Sequence, residues 1–261
     1  MNLATQQTTV NGAPRVTSSL FLAGLILLLV WFLAHYNFWR PIADPKLPRI
    51  LMYHSVEPGE ATGMNIPPER FEQQLLQLQR HLYTPVTLSE LGFDPTVNNP
   101  LVITFDDGFR NNYTHAYPLL KKYGFKATIF LSPQIGGIER LTPENIREMS
   151  DSGLIEFGGH TMNHINLTTV DDATARREIE ESIETVASLT ASPCRTFAYP
   201  FGRYLPKHRE MLRDAGIEMA VTVKKRIRPL GNLLEIPRLS VHGAANRLQF
   251  HLILTRGRYR V

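Results

Sequence analysis

Asp106 and Asp107 stand side by side and run into Gly108, and His160 and His164 lie four residues apart. Neighbouring carboxylates repel each other, and burying either one is costly. A cation relieves both costs. Histidines at i and i+4 would lie on one helical face, a spacing able to grip one metal. Two imidazoles and one carboxylate form a common catalytic set for zinc that leaves positions open for water and substrate, and the second aspartate is then free to act as a base. Gly108 lets the chain turn sharply after the acidic pair. Each piece alone is ordinary: Asp-Asp-Gly is a frequent turn, and one H-x-x-x-H pair is unremarkable among nine histidines. What joins them is position, because each falls at the end of an expected strand, as does His54.

The elements that must hold these residues alternate. Strands are expected at 50–54, 85–87, 101–105, 127–131, 155–157, 196–199, 219–223 and 238–241. Helices are expected between them. In 70–82, Phe71, Leu75, Leu78 and Leu82 share one stripe. In 173–189, Ile179, Ile183 and Val186 point inward, with Asp171 or Asp172 as cap. Shorter helices are read at 144–149 and 207–215, the latter stopped by Gly216. Regular β–α alternation predicts an α/β domain on a parallel sheet, with a barrel favoured by the number of elements. In such folds chemistry gathers at the C-terminal ends of the strands.

The composition narrows the options. The chain has 261 residues, 43% hydrophobic and 20% charged, which excludes a disordered chain. The single cysteine, Cys194, excludes an internal disulfide and a Cys-rich zinc site. The net charge of +4 is diffuse apart from short basic runs at 224–228 and 256–260, which argues against nucleic acid and fits an anionic membrane or cell-wall surface. No G-x-S-x-G and no phosphate-cradling Gly-rich loop is present. After an N-terminal tail (1–15), residues 16–39 carry no formal charge. As a helix these 24 residues would cover about 36 Å, enough for a bilayer core of about 30 Å. Trp31, Tyr36 and Trp39 fall where an aromatic belt belongs. A membrane anchor is therefore expected at 16–39, followed by a stiff linker at 40–48 holding Pro41, Pro45 and Pro48. The remaining residues, 49–261, form one catalytic domain.

Two stretches carry a resemblance. Thr104-Phe105-Asp106-Asp107-Gly108 and His160-Thr161-Met162-Asn163-His164 resemble the TFDDG and H-[ST]-x-x-H motifs of the polysaccharide deacetylases of carbohydrate esterase family four, the NodB-homology domain. The likeness runs over roughly residues 49–243. It implies a distorted (β/α) barrel and a divalent metal, usually zinc. It carries metal-ligand roles onto Asp107, His160 and His164 and the base role onto Asp106. The third motif departs: Phe197-Ala198-Tyr199-Pro200-Phe201-Gly202 has Ala198 where the family form F-R-P-P-Y-G has the Arg that orients the base. The variant is similar to the branch of biofilm poly-N-acetylglucosamine deacetylases, whose motif order is permuted and whose acid His lies on the first strand. That implies His54 as general acid, with His242 as the rival. Arg238, or failing that Arg195, stands in for the missing Arg. The family's fourth motif, with its Asp and Trp, is not found, since the only tryptophans are Trp31 and Trp39.

The chemistry the resemblance implies is metal-dependent removal of N-acetyl groups from a GlcNAc-containing polysaccharide. Asp106 takes a proton from water, a backbone N–H near Phe201 stabilises the oxyanion, and His54 protonates the leaving amine. Tyr53, Tyr199 and Phe201 could face the sugar ring. Two other readings stand beside it. One is an esterase or deformylase acting on a lipid-linked sugar. The other is a glycan-binding homologue that has lost activity, for which Ala198 speaks and the intact Asp106, Asp107, His160 and His164 speak against. The oligomeric state is open. The flanking charges Arg40, Lys46 and Arg49 against Arg15 would keep the domain in the cytoplasm, whereas a polymeric acetylated glycan lies outside it. The expected arrangement is a single-pass inner-membrane protein with residues 41–261 on the extracytoplasmic, periplasmic side. Protease added to intact spheroplasts should then digest the domain, and protection until lysis would place it in the cytoplasm.

Overall fold

The computed structural model describes residues 15–36, 38–92 and 97–257, which divide into an N-terminal unit up to Pro41 and a second unit from Ile42. Most of the expected 1–15 tail and the end of the 256–260 basic run lie outside the described residues. The first unit is one helix, α1 (Arg15–His35). It stops at His35, so Tyr36 and Trp39, expected inside it, lie beyond its end. Leu20, Phe21, Leu27, Leu28 and Trp31 are exposed on it. Its unbroken apolar run, 20–34, covers about 22 Å, less than a bilayer core of about 30 Å. Among the described residues no helix is long and apolar enough to cross a membrane.

The second unit contains β1 (Arg49–Tyr53), β2 (Ser55–Val56), β3 (Asn65–Ile66), α2 (Pro68–Arg80), β4 (Thr84–Pro85), α3 (Leu88–Leu91), β5 (Pro100–Phe105) and α4 (Tyr117–Tyr123), the last entered through a π-helical turn. There follow β6 (Ala127–Leu131), α5 (Pro143–Asp151), β7 (Ile155–Gly159), α6 (Asp172–Thr190), β8 (Thr196–Ala198), α7 (Pro206–Asp214), β9 (Met219–Thr222), β10 (Ile236–Pro237), β11 (Leu239–Ser240) and α8 (Arg247–Arg256). The main sheet is parallel throughout, in the order β10-β9-β8-β7-β6-β5-β1-β11, with β4 beside the start of β5. β10 and β11 are two halves of one stretch. Ile236 pairs with Val221 on one side and Leu239 with Leu51 on the other. The chain switches partners at Arg238, and that switch brings the sheet round into a nearly closed (β/α) barrel.

The strands are buried along almost their whole length, as a parallel sheet covered by helices requires. Alternation sorts their side chains into two sets. Ile50, Val102, Phe130, Ala198, Val221 and Ile236 cluster inside the barrel. Leu51, Ile103, Ile129 and Phe197 pack outward with Phe71, Leu75 and Ile179 of the helices. The interior set continues, two residues at a time, from Ile50 and Met52 to His54, from Val102 and Thr104 to Asp106, and from Glu156 and Gly158 to His160. The pleat alone thus carries these three to the mouth. A side chain at Gly158 would come within 2.7 Å of Phe130, so this strand position must be bare for Phe130 to fill the barrel.

Three local expectations are corrected. Leu82 is not on the α2 stripe, because the helix ends at Arg80 and Leu82 is exposed with φ 55°. The strand expected at 85–87 is the two-residue β4, because Thr87 caps α3. The strand expected at 238–241 begins earlier, at Ile236, and is broken by Arg238. At the barrel floor the Arg49 guanidinium is buried among carbonyls, donating to Leu254 O (2.8 Å), Asp44 O (2.7 Å), Leu47 O (2.5 Å) and Ala43 O (3.3 Å). It fixes the linker segment to the end of α8.

Candidate active site

The loops after β1, β5, β7 and β8 meet at one mouth. Asp106 and Asp107 follow β5, but Asp107 turns into the left-handed region at φ 75° and Gly108 continues the turn at φ 78°. This reversal points the two adjacent carboxylates in different directions. Asp106 faces into the barrel. Arg238 meets it with two hydrogen bonds, Nη1 to Oδ1 at 2.5 Å and Nη2 to Oδ2 at 2.7 Å, both side chains being buried. The guanidinium also donates to Thr104 Oγ1 (3.0 Å) and Thr222 O (3.2 Å) and lies 5.6 Å from the Phe130 ring centre. Burial by itself would raise the Asp106 pKa. Burial is the largest single influence, but the Arg238 charge, the neighbouring His160, the Arg238 hydrogen bonds and His54 together outweigh it and hold the carboxyl well below the usual carboxylate range. Arg195 instead pairs with Glu218 at the surface.

Asp107 faces the histidines. Its Oδ1 lies 3.5 Å from His160 Nε2 and 3.4 Å from His164 Nε2, and the three ligand atoms fall within 4.8 Å of one another. The expected helical face is absent. His160 to His164 form a loop in which Thr161 and His164 take positive φ, 59° and 54°, and this brings the imidazole centres to 4.9 Å. A helix would have continued away from the mouth; the left-handed residues fold the chain back across it. Ala198 O accepts a hydrogen bond from His160 Nδ1 at 2.6 Å. That fixes the tautomer and leaves the Nε2 lone pair toward Asp107. Burial lowers the His160 pKa to about 4 and also lowers that of His164, so both rings are neutral near pH 7. Burial and the neighbouring Asp106 charge push Asp107 up to about 6. Asp107 Oδ1 is buried and accepts no hydrogen bond. A buried, unsatisfied carboxylate oxygen opposite two neutral imidazole nitrogens is a donor set that a divalent cation fits.

His54 stands at the end of β1 with Nε2 at 4.0 Å from Asp106 Oδ2, and its carbonyl accepts from Asn112 Nδ2 (2.7 Å). His242 Nδ1 accepts from Ala244 N (3.1 Å) and its ring lies beside Gly63. Phe201, at φ 58°, is 55% exposed with its ring 4.7 Å from His164. Tyr199 and Tyr53 are not at the surface of the mouth. Tyr199 is buried, donates to Leu234 O (3.0 Å) and stacks on Tyr204; Tyr53 is buried and donates to Gln74 Oε1 (2.7 Å). Both point to the helix side of their strands.

Sequence reasoning missed Glu178. Buried on α6, it takes Asn163 N on Oε2 (2.9 Å) and Asn163 Nδ2 on Oε1 (2.7 Å), while its carbonyl accepts from Met162 N (3.2 Å). It clamps the loop between the two histidines. The signal was a charged residue on the inward stripe with Ala175, Ile179 and Ser182.

The site thus joins a nearly closed parallel barrel, an Asp-His-His group and a buried Asp–Arg pair at one mouth. The polysaccharide deacetylase family profile matches residues 94–220. Bacillus subtilis YxkH, named as a polysaccharide deacetylase, is 34% identical over 193 residues, covering 71% of this chain and 68% of that one. The chain belongs to the polysaccharide deacetylase family. The poly-β-1,6-N-acetyl-D-glucosamine N-deacetylase of Staphylococcus aureus is 25% identical over 201 residues, covering 70% and 69%. Among solved structures, IcaB from Ammonifex degensii superposes with a TM-score of 0.68 at 26% identity over 80% of this chain and 95% of that one. The Streptococcus pyogenes deacetylase PplD, in complex with acetate, gives 0.70 at 25% identity over 76% and 93%.

Two predictions follow from this geometry. Glu178→Ala removes both acceptors that hold the Asn163 loop and should weaken zinc binding by about 10- to 100-fold, measured by competition with a chromogenic chelator. Glu178→Gln should lose much less, because its oxygen still accepts from Asn163 N–H and the Asn163 amide can turn its Oδ1 to the new NH2; equal affinities in all three chains would show that the clamp does not orient the histidines. The second concerns Asp107. Its folded pKa of about 6 exceeds the unfolded value of about 3.9, so the metal-free fold loses stability as pH rises from about 4 to about 6 and does not regain it above. Under chelation Asp107→Asn should therefore melt higher than the native chain at pH 7.5, with the difference shrinking toward pH 4.

Proposed function

We propose that the chain removes N-acetyl groups from a GlcNAc-containing polysaccharide, with Asp107, His160 and His164 holding a divalent cation, Zn2+ being the best match to two imidazoles and a carboxylate. The observation that carries this reading is the convergence at one mouth of the Asp107–His160–His164 group and the Asp106–Arg238 pair. The N-acetylglucosamine deacetylases among its relatives support the substrate class. A divalent ion held there supplies Lewis acidity for the acyl carbonyl and for water. Arg238 keeps Asp106 ionised and immobile, so a proton acceptor of fixed direction faces the attacking water. His54, partly open to solvent beside Asp106, delivers a proton to the departing nitrogen. The Phe201 N–H stabilises the developing oxyanion, and its exposed ring offers a face to the sugar. Polymeric acetylated glycans lie outside the cytoplasm, so the reading carries with it an extracytoplasmic domain, with the exposed apolar side chains of α1 as membrane contact.

The test is turnover of acetylated glycans by the purified full chain, followed as free amine, before and after chelation and again after adding Zn2+. Activity should disappear with chelator and return with the ion. His54→Ala should lower the rate by about 10²–10⁴ with metal content unchanged, whereas His242→Ala should change it by less than about tenfold. A near-normal His54→Ala beside a crippled His242→Ala would give the acid role to His242. Turnover that ignores the chelator would overturn the metal assignment.

A further inference from the structure

The mouth also carries a cavity that hydrolysis of an acetamide does not use. Its volume is about 660 Å3, and it lies between the segment after β6, the start of α5, and α6. Asp107 and Gly108 form one edge, and Met162, from the loop between the two histidines, forms another. Mostly apolar cavities of some 300–1,000 Å3 are the common form of a small-molecule site.

Its apolar walls include Leu131, Leu141, Ile146, Met162 and Leu189. Most polar side chains on the walls are already engaged. Ser132 Oγ donates to His160 O (2.7 Å), Thr142 caps α5, Thr185 Oγ1 lies 3.8 Å from Met162 Sδ, Arg140 donates to Pro133 O, and Glu139 pairs with Arg110 (3.1 Å). The lining thus offers contact to hydrocarbon more than hydrogen bonds to sugar hydroxyls.

We propose that this cavity receives an aliphatic chain on the acyl group of the substrate, so that the chain hydrolyses N-acyl sugars whose acyl groups are longer than acetyl. The inference rests on the deacetylase reading above and widens its substrate class. An acyl chain fits better than a lipid attached elsewhere on the sugar. The cavity begins at Asp107, the acyl carbon reacts beside that residue, and the chain leaves directly from that carbon, whereas an aglycone is a sugar ring away. The reaction needs only water. Its oxygen joins the acyl carbon, the C–N bond breaks, the nitrogen leaves protonated as an amine, and the acyl group leaves as an alkanoate.

The experiment uses the full chain loaded with Zn2+. Each methylene that enters the cavity should tighten binding by roughly fourfold. Hexanoate, the product of a hexanoyl substrate, should therefore bind at least tenfold more tightly than acetate in isothermal titration. Glucosamine oligosaccharides N-acylated with hexanoyl should be turned over within tenfold of the acetyl forms. Leu189→Trp, which narrows the cavity from α6, should lower the hexanoyl-to-acetyl ratio of both affinity and rate by at least tenfold; Thr185→Phe serves if the first variant does not fold. Equal binding of hexanoate and acetate overturns the proposal. So does an octyl glycoside of N-acetylglucosamine whose affinity falls in Leu189→Trp while hexanoate is unaffected, because the cavity would then hold an aglycone. If no acylated sugar is turned over, the deacetylase reading fails, yet the ratio of hexanoate to acetate affinity still decides the cavity.

Discussion

The salt bridge between Asp106 and Arg238 is the interaction on which the rest of this barrel depends. Both groups are buried, and desolvating two charges costs several kcal/mol each unless geometry and further hydrogen bonds compensate. Here the carboxylate is held bidentately, and the remaining guanidinium donors reach Thr104 and Thr222 while Phe130 supports its face. Arg238 is also the residue at which the last strand leaves β9 for β1. The charge that keeps Asp106 ionised is therefore the same residue that closes the sheet. Removing one partner would leave an uncompensated charge, a loss of about 3–5 kcal/mol. The ionised carboxylate and the closure of the sheet are two aspects of one contact.

The mouth loops stand in contrast to the regular strands beneath them. Asp107, Thr161, His164 and Phe201 all take φ between 54° and 75°, which for side-chain-bearing residues costs on the order of 1–3 kcal/mol each. All four follow the C-terminal ends of strands at the mouth. Such conformations persist where surrounding contacts determine them, and Glu178 and the Ala198 carbonyl are two of those contacts. The strain aims Asp107 away from Asp106 and both imidazoles toward Asp107.

The sequence made the strands at 101–105, 127–131 and 155–157 legible because they are short apolar runs bounded by turn residues, and the acidic pair and histidines could be placed at their ends. Pleat alternation was enough to carry His54, Asp106 and His160 inward. The switching strand was harder to see. Its two halves are two residues long, one contains a proline, and a buried arginine divides them, so no period is visible; tertiary closure alone defines it. The i, i+4 spacing of the histidines suggested a helix because spacing does not report φ, and two left-handed residues within five are a tertiary outcome. Tyr199 sits in a motif whose neighbours serve the mouth, but alternation turns it to the helix side. Glu178 was hidden because its partner, the Asn163 loop, is distant in sequence.

The carbonyl cage around Arg49 has a mechanical consequence. The guanidinium fastens residues 43–47 to the entry of β1 and to the end of α8, at the floor of the barrel, while every group considered for chemistry lies past the opposite ends of the strands. Tension arriving at Ile42 is passed to the floor through several hydrogen bonds in parallel and then runs along β1 in shear, the direction in which a parallel strand flanked on both sides resists most. A pull on the segment before β1 would therefore leave the groups at the mouth in register.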